Sequence, residues 1–243
     1  MKNDILTVMW KEWKSMFRIK GGRSRFLMML LTPIILAVVM PLAMFDTSAE
    51  WTDGFFSIII AVIIPMMMVA ITIPDSFAGE RERHTLETLL ASRLPDRAIL
   101  FGKWLLSVSF AWGVTIVFLI IGLITVNIRF WDGQLLFYSP TLLVANLSLS
   151  LLLGSIVAGT GVLISLRAST AQQAAQTLMM IFLLPLVLFQ VAAMLFLRPI
   201  IDFFETVDSV QLLLITVAVL LVIDIVVNAA ALARFRRSKL ILI

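Results

Sequence analysis

The residues from Pro74 to Lys103 read PDSFAGERERHTLETLLASRLPDRAILFGK, and they form the one long charged segment between two apolar runs. Leucines at helical spacing from Gly79 to Leu94 predict a short amphipathic helix. Pro95 should end that helix, and the carboxylate of Asp96 should cap the next one. Residues 75–103 are therefore predicted to form a helix, a break and a second helix at a membrane surface. An ordinary solvated loop of mixed charge is the alternative.

The composition around this segment is that of a membrane protein. Hydrophobic residues make up 61% of the chain, charged residues only 14%, and the mean hydropathy is +1.06. Soluble domains have about 25% charged residues. Six apolar runs are each close to the ~20 residues that a bilayer requires. The chain is predicted to be an all-α polytopic membrane protein with one transmembrane domain, 1–243, and spans at about 26–45, 54–73, 104–126, 140–166, 174–197 and 210–233.

The first 25 residues combine basic side chains with apolar ones at helical spacing. Trp10 and Trp13 suit the headgroup layer, so residues 1–25 are predicted to form an interfacial amphipathic helix. A cleaved secretory signal is the alternative. It is disfavoured because the basic region is long and no small-residue cleavage site follows the apolar run.

Small residues recur through the fourth predicted span, where they predict a close approach to another span rather than to lipid. They are Gly154, Ser155, Ala158, Gly159 and Gly161.

Charge placement predicts the orientation. All of the 19 lysines and arginines except Arg129 and Arg198 fall on one side of the predicted spans. By the positive-inside rule, both termini and the segment 75–103 face the cytosol. Acidic lipid headgroups, rather than nucleic acid, are the expected counter-charge.

Catalytic and metal-binding patterns are nearly absent from the sequence. There is no cysteine, and His84 is the one histidine, which argues against disulfides and zinc sites. Gly102 and Lys103 are followed by Trp104 instead of Ser or Thr, so they do not form a phosphate-binding loop. The sequence therefore predicts no catalytic, cofactor or metal site on this chain.

Polar residues inside the spans are few. Asp224 is the only ionisable residue that lies away from the ends of the predicted spans. Asn228 follows it by one helical turn, and Gln190 lies in the fifth span. A carboxylate at a helix centre costs about 2.5 to 3.5 kcal/mol on insertion scales. These residues either line a pathway or form hydrogen bonds between spans, and both interpretations stay open.

The run G-E-R-E-R-H-T-L-E-T-L-L-A-S-R-L-P, followed by G-K, resembles the segment after the second span in membrane subunits of type-2 ABC transporters. His84 replaces the usual glycine, and Pro95 comes later than the usual proline. The resemblance implies that the segment is a cytosolic coupling helix that contacts an ATPase. The contact residues it implies are Glu80, Arg81, Glu82, Arg83, His84, Glu87, Leu89 and Leu90.

The same resemblance implies a function. The chain would be the non-catalytic permease subunit of an ATP-driven exporter in the cell membrane, working with a cytosolic ABC ATPase that binds ATP and Mg, and with a second permease subunit, identical or related. An ion-coupled secondary transporter using Asp224 is the alternative, although such transporters usually show repeated halves and several polar residues at the midplane. An intramembrane enzyme would need convergent polar groups, which the spans lack.

Overall fold

The computed structural model describes residues 1–18, 22–54, 56–85, 93–195 and 208–235. In these ranges the regular secondary structure is entirely helical: α1 (Lys2–Arg18), α2 (Gly22–Ala43), α3 (Ala49–Thr52), α4 (Phe56–Glu82), α5 (Asp96–Arg129), α6 (Pro140–Ser165), α7 (Ala171–Leu195) and α8 (Ser209–Arg234). This confirms the predicted all-α class.

Five of the described helices are long and apolar enough to cross a membrane: α4, α5, α6, α8 and the Ala171–Leu188 part of α7. The apolar part of α2, Leu27–Ala43, coincides with the first predicted span but is shorter. The protein is an all-α polytopic membrane protein.

α4 occupies the centre of the bundle. It packs against α5, α6 and α7, while α8 packs on the outer side of α6 and both α1 and α2 pack on α5. Val69, Ile73, Phe118 and Val157 are among the side chains buried between these helices. The core is therefore built around α4, and a change at either end of α4 reaches three neighbouring helices.

The end of α4 differs from the prediction. The helix continues through Pro74 to Glu82, so Gly79 lies within α4 and does not begin a separate helix. A proline removes one helical hydrogen bond but is tolerated in membrane helices when neighbours hold the rest. Ile73, Phe77 and Ala78 around this proline are buried against such neighbours.

The start of α5 also differs. Pro95 is the N-cap, with φ −69° and ψ 145°, and Asp96 is already in the first helical turn. Proline suits this position because an N-cap residue has an extended backbone, and the φ of proline is fixed near −65°. Asp96 thus lies where the helix dipole favours an acidic residue, one position later than predicted.

The small residues of α6 do lie at helix contacts, as predicted. A Cβ at Gly159 would lie 2.7 Å from Asn228 Oδ1 on α8, and one at Gly161 would lie 2.9 Å from Ile73 on α4. The missing side chains let three helices approach α6 closely, because Gly161 also faces α7 at Leu178.

The two ends of the bundle are distinct. At one end, called the basal end below, α1 meets the end of α4 and the start of α5, and Phe77 stacks edge-on against Phe235 with ring centroids 5.8 Å apart. The turn between α6 and α7 lies there too, because Arg81 binds its carbonyls. The described parts of the segments predicted to share one side of the membrane therefore lie together at one end.

At the opposite end, the short helix α3 inserts Trp51 into the bundle, where its side chain is fully buried. The indole Nε1 donates a hydrogen bond to Tyr138 Oη at 2.9 Å, and that hydroxyl donates to the Leu119 carbonyl at 3.0 Å. Gly122 leaves the space for the indole, since a Cβ there would be 2.8 Å from it. Trp51 lies between the first two predicted spans, where nothing in the local sequence indicates a buried side chain.

Candidate functional site

A buried group of charges holds the basal end together. Lys103, on the second turn of α5, has no exposed side-chain surface, and its Nζ lies 2.6 Å from Glu80 Oε2 and 3.3 Å from Glu12 Oε1. The same ammonium donates to the Ser76 carbonyl and lies 5.1 Å from the centroid of the Phe77 ring. These contacts connect α5 to α1 and to α4.

Lys11 completes the group from the more exposed side. Its Nζ contacts Glu80 Oε1 and lies 3.1 Å from Glu12 Oε1, while Ser76 Oγ donates to Glu12 Oε2 at 3.3 Å. Burial alone would lower the pKa of Lys11, but the carboxylates of Glu12 and Glu80 outweigh burial and hold that pKa above its ordinary value. Lys11, Glu12, Ser76, Glu80 and Lys103 are called the basal cluster below.

The basal cluster balances its formal charges, with two lysines facing two carboxylates. Such a group is strongly destabilised when its fully buried member, Lys103, is removed, because the carboxylates then stay buried without that partner. The cluster therefore fixes α1 against the ends of α4 and α5, rather than leaving α1 to lie independently at the bilayer surface.

Arg81 connects α4 to the end of α6. Its guanidinium donates to the carbonyls of Ser165 and Leu166, both at 3.2 Å, and to that of Ala168. The last carbonyls of a helix have no partner within the helix and carry the negative end of its dipole. Arg81 satisfies these groups with a positive charge.

Glu82 makes the complementary contact at the start of α7. Its Oε2 accepts a hydrogen bond at 3.2 Å from the backbone N–H of Ala171, the first residue of that helix. The N-terminus of a helix favours an acidic partner, just as the C-terminus favours a basic one. Two successive residues of α4 thus hold both sides of the turn between α6 and α7.

Arg83 and His84 follow the last residue of α4 and terminate the helix. Arg83 forms an exposed ion pair with Asp75, 3.1 Å between Nη1 and Oδ1, a type of contact that contributes little stability. His84 has φ of +55°. The N–H of His84 binds the Arg81 carbonyl at 3.0 Å, and the N–H of Thr85 binds the Glu80 carbonyl at 2.9 Å. This is the Schellman arrangement, in which the left-handed residue is usually glycine.

Replacing His84 by glycine should therefore stabilise the protein. A side chain in the left-handed region costs about 1–2 kcal/mol, and glycine recovers part of this although it costs more entropy in folding. We expect His84→Gly to raise the free energy of unfolding by about 1 kcal/mol, measured by denaturant unfolding in detergent. Thr85→Gly is the control, since no positive φ is found at Thr85, and it should bring no gain; a gain as large there would contradict this account.

The predicted contact residues thus divide into groups. Glu80 is only 6% exposed and turned into the basal cluster, Arg81 is half-buried on the end of α6, and Glu82, Arg83 and His84 are exposed. Glu87, Leu89 and Leu90 lie outside the described residues. The structure shows that four successive charged residues have partners within the chain, which their helical spacing alone did not reveal.

Glu12 was missed, although the sequence held a signal for it. It follows the buried Val8 by one helical turn, so a carboxylate occupies the face of α1 that packs into the protein. An acidic residue on the packed face of a basic helix indicates a buried cation on a neighbouring element. The cation is Lys103, next to Gly102, where a Cβ would lie 2.6 Å from Val8.

A second polar cluster joins α6 and α8. Asp224 Oδ1 accepts hydrogen bonds from Ser155 Oγ and, at 2.7 Å, from Asn228 Nδ2, which also lies 3.1 Å from Ser155 Oγ. The geometry is that of a contact between helices, one of the two interpretations that the sequence left open. The side chain of Gln190 lies outside the described residues.

Most of the chain matches a known protein family. The family model for the ABC-2 type transporter matches residues 3–194. The chain is 26% identical over 161 residues to the ABC transporter permease protein NatB of Bacillus subtilis (strain 168), an alignment that covers 61% of this chain and 42% of that protein. The chain thus matches less than half the length of that relative. Because the family model covers most of the chain, this protein belongs to the ABC-2 type transporter family.

Proposed function

We propose that this protein is the permease subunit of an ATP-driven ABC exporter in the cell membrane. Family membership and the polytopic helical fold support this role. In the proposal, ATP and Mg are bound by a separate cytosolic ATPase, a second permease subunit completes the pathway, and this chain catalyses no reaction itself. Residues 84–94 form the part that the ATPase contacts.

The connections at the basal end carry the proposal. The segment 84–94 lies between the end of α4 and the start of α5, and both are tied to α1 by the basal cluster. Arg81 and Glu82, at the end of α4, also hold α6 and α7. A force applied to this short segment would reach all of these helices through buried ion pairs and hydrogen bonds, so little of it would be absorbed by slack chain.

This arrangement refines the role of the charged run. Glu80, Arg81 and Glu82 act as internal anchors in the proposal, and Glu82 keeps enough exposure to contact a partner as well. The direct contacts with the ATPase come from His84 and the following residues Glu87, Leu89 and Leu90, and Arg83 borders this segment. Charged residues would set the orientation of the partner, and the leucines would supply the apolar anchors.

The basal end faces the cytosol in this proposal, together with both termini. The support is the distribution of lysine and arginine: of the 19, only Arg129 and Arg198 fall outside the segments assigned to that side. Arg129 lies at the opposite end, where it donates to the Pro41 carbonyl at 2.9 Å.

The test is the loss of coupling in two double variants. Leu89→Ser with Leu90→Ser should reduce co-purification with the partner ATPase at least tenfold at any salt concentration, because the apolar anchors are removed. His84→Asp with Glu87→Arg should weaken the complex in a manner that depends on salt, because it changes charges of the segment without touching the internal anchors. Complex yield and transport-linked ATP hydrolysis are measured for each variant, with the amount of protein in the membrane as the folding control.

Leu135→Ser is the matched control, because Leu135 is an exposed leucine at the opposite end of the bundle. It should leave both measurements unchanged. Normal complex yield and coupled hydrolysis in both double variants would refute the assignment of residues 84–94 as the ATPase contact.

A further inference from the structure

An apolar groove runs along the outer surface between α1, α2 and α5. Its volume is about 530 Å³, and its lining includes Trp13, Leu30, Pro33, Phe110, Gly113 and Phe118. This volume falls within the range of about 300–1,000 Å³ typical of small-molecule sites. The lining is apolar except for Ser109, so the groove suits a hydrocarbon chain rather than a polar ligand.

Gly113 is the residue that makes room for the groove. A Cβ at this position would meet nothing within 4 Å, whereas Gly102, Gly122, Gly154, Gly159 and Gly161, in the described membrane helices, each face an atom within 3.5 Å. Glycine inside a helix costs about 1 kcal/mol relative to alanine. Helix packing explains that cost at the other positions but not at Gly113, where the absent side chain only leaves space.

The sequence from Trp13 into α2 carries only positive charges, and Lys14, next to Trp13, is exposed. Trp13, near the end of α1, and Leu30, in α2, both line the groove. Between Glu12 and Asp46 the sequence has no acidic residue and five basic ones: Lys14, Arg18, Lys20, Arg23 and Arg25. Clusters of this kind beside a membrane helix attract anionic lipid headgroups, at about 1 kcal/mol for each cation.

We propose that the groove binds one anionic phospholipid, with an acyl chain beside Gly113 and the headgroup at Lys14, the exposed basic residue next to Trp13. Trp13 stands at the basal end of the groove with its ring edge-on to Phe110, 6.2 Å between centroids. A tryptophan with partial exposure is suited to the boundary between acyl chain and headgroup. The lipid would fill the space against α5 that no side chain of the described residues fills.

The experiment uses the full chain, purified in detergent and incubated with dioleoyl phosphatidylglycerol or dioleoyl phosphatidylcholine. Native mass spectrometry measures the lipid that stays bound. The parent should retain one phosphatidylglycerol and little phosphatidylcholine. Gly113→Phe should lose this retention by at least tenfold because the ring fills the groove, and Gly113→Ala, which changes the same residue without filling the space, should keep it.

Lys14→Gln tests the headgroup without altering the groove, and it should weaken phosphatidylglycerol retention about fivefold, equivalent to ~1 kcal/mol. It also keeps the proposal testable if Gly113→Phe does not fold. Equal retention of the two lipids, or unchanged retention in both Gly113→Phe and Lys14→Gln, would overturn the proposal. So would a disulfide-linked dimer formed through Gly113→Cys in this cysteine-free chain, because a second copy would then occupy the groove.

Discussion

Lys103→Met is expected to lower the free energy of unfolding by about 3–5 kcal/mol, the cost of leaving a buried charge without its partner. Methionine has a similar length and fits an apolar site, so the loss reflects the missing ammonium. Glu80 and Glu12 would then share only Lys11, which lies at the more exposed side of the basal cluster. Reversible denaturant unfolding in detergent measures the change.

Lys11→Met is the matched control. The side chain of Lys11 is 44% exposed, and partly exposed ion pairs contribute only about 0–1 kcal/mol. Adding Glu80→Gln to Lys103→Met should recover part of the lost stability, because the amide does not carry the buried charge. Equal losses in Lys103→Met and Lys11→Met would show that the basal cluster is not held by the buried lysine.

Arg81→Ala is expected to cost about 1.5–3 kcal/mol, the usual contribution of hydrogen bonds to a charged group. Alanine leaves the carbonyls of Ser165, Leu166 and Ala168 without their guanidinium partner. The turn between α6 and α7 should open locally before the bundle unfolds. A cysteine introduced at Ala168, which is buried, should therefore react faster with a thiol reagent in the Arg81→Ala background.

Arg83→Ala is the control for this measurement, because it removes the same kind of side chain two positions away. Its ion pair with Asp75 is exposed, so we expect a loss of about 0–1 kcal/mol and an unchanged labelling rate at Ala168→Cys. If Arg83→Ala increased labelling as much as Arg81→Ala, general fraying of the end of α4 would explain the result, and the specific contact would not.

The helical fold was predictable because it depends on local properties. Apolar runs of bilayer length gave the all-α class, and the small residues of α6 correctly indicated close helix contacts. Boundaries were less predictable. The second span was predicted to stop at about residue 73, yet α4 continues through Pro74 to Glu82, because tertiary packing holds the helix around this proline.

The partners of the charged residues could not be read from local spacing. Glu80 and Lys103 are separated by 23 positions, and Glu12 lies far from both in the sequence, so no helical period relates them. The sequence left open a solvated loop of mixed charge, and the family resemblance made Glu80, Arg81 and Glu82 contacts with a partner. Only the folded chain shows that Glu80 points inward while Arg81 and Glu82 reach the ends of two other helices.

The polar contact between α6 and α8 has a consequence for biosynthesis. α8 packs mainly on α6, and most of its surface is apolar in every direction, so hydrophobicity alone gives it no preferred rotation about its axis. Asp224 and Asn228 find their hydrogen-bonding partner at Ser155, beside the space left by Gly159. Since α6 precedes α8 in the chain, an α8 that inserts after α6 has one rotational setting in which both polar side chains reach Ser155.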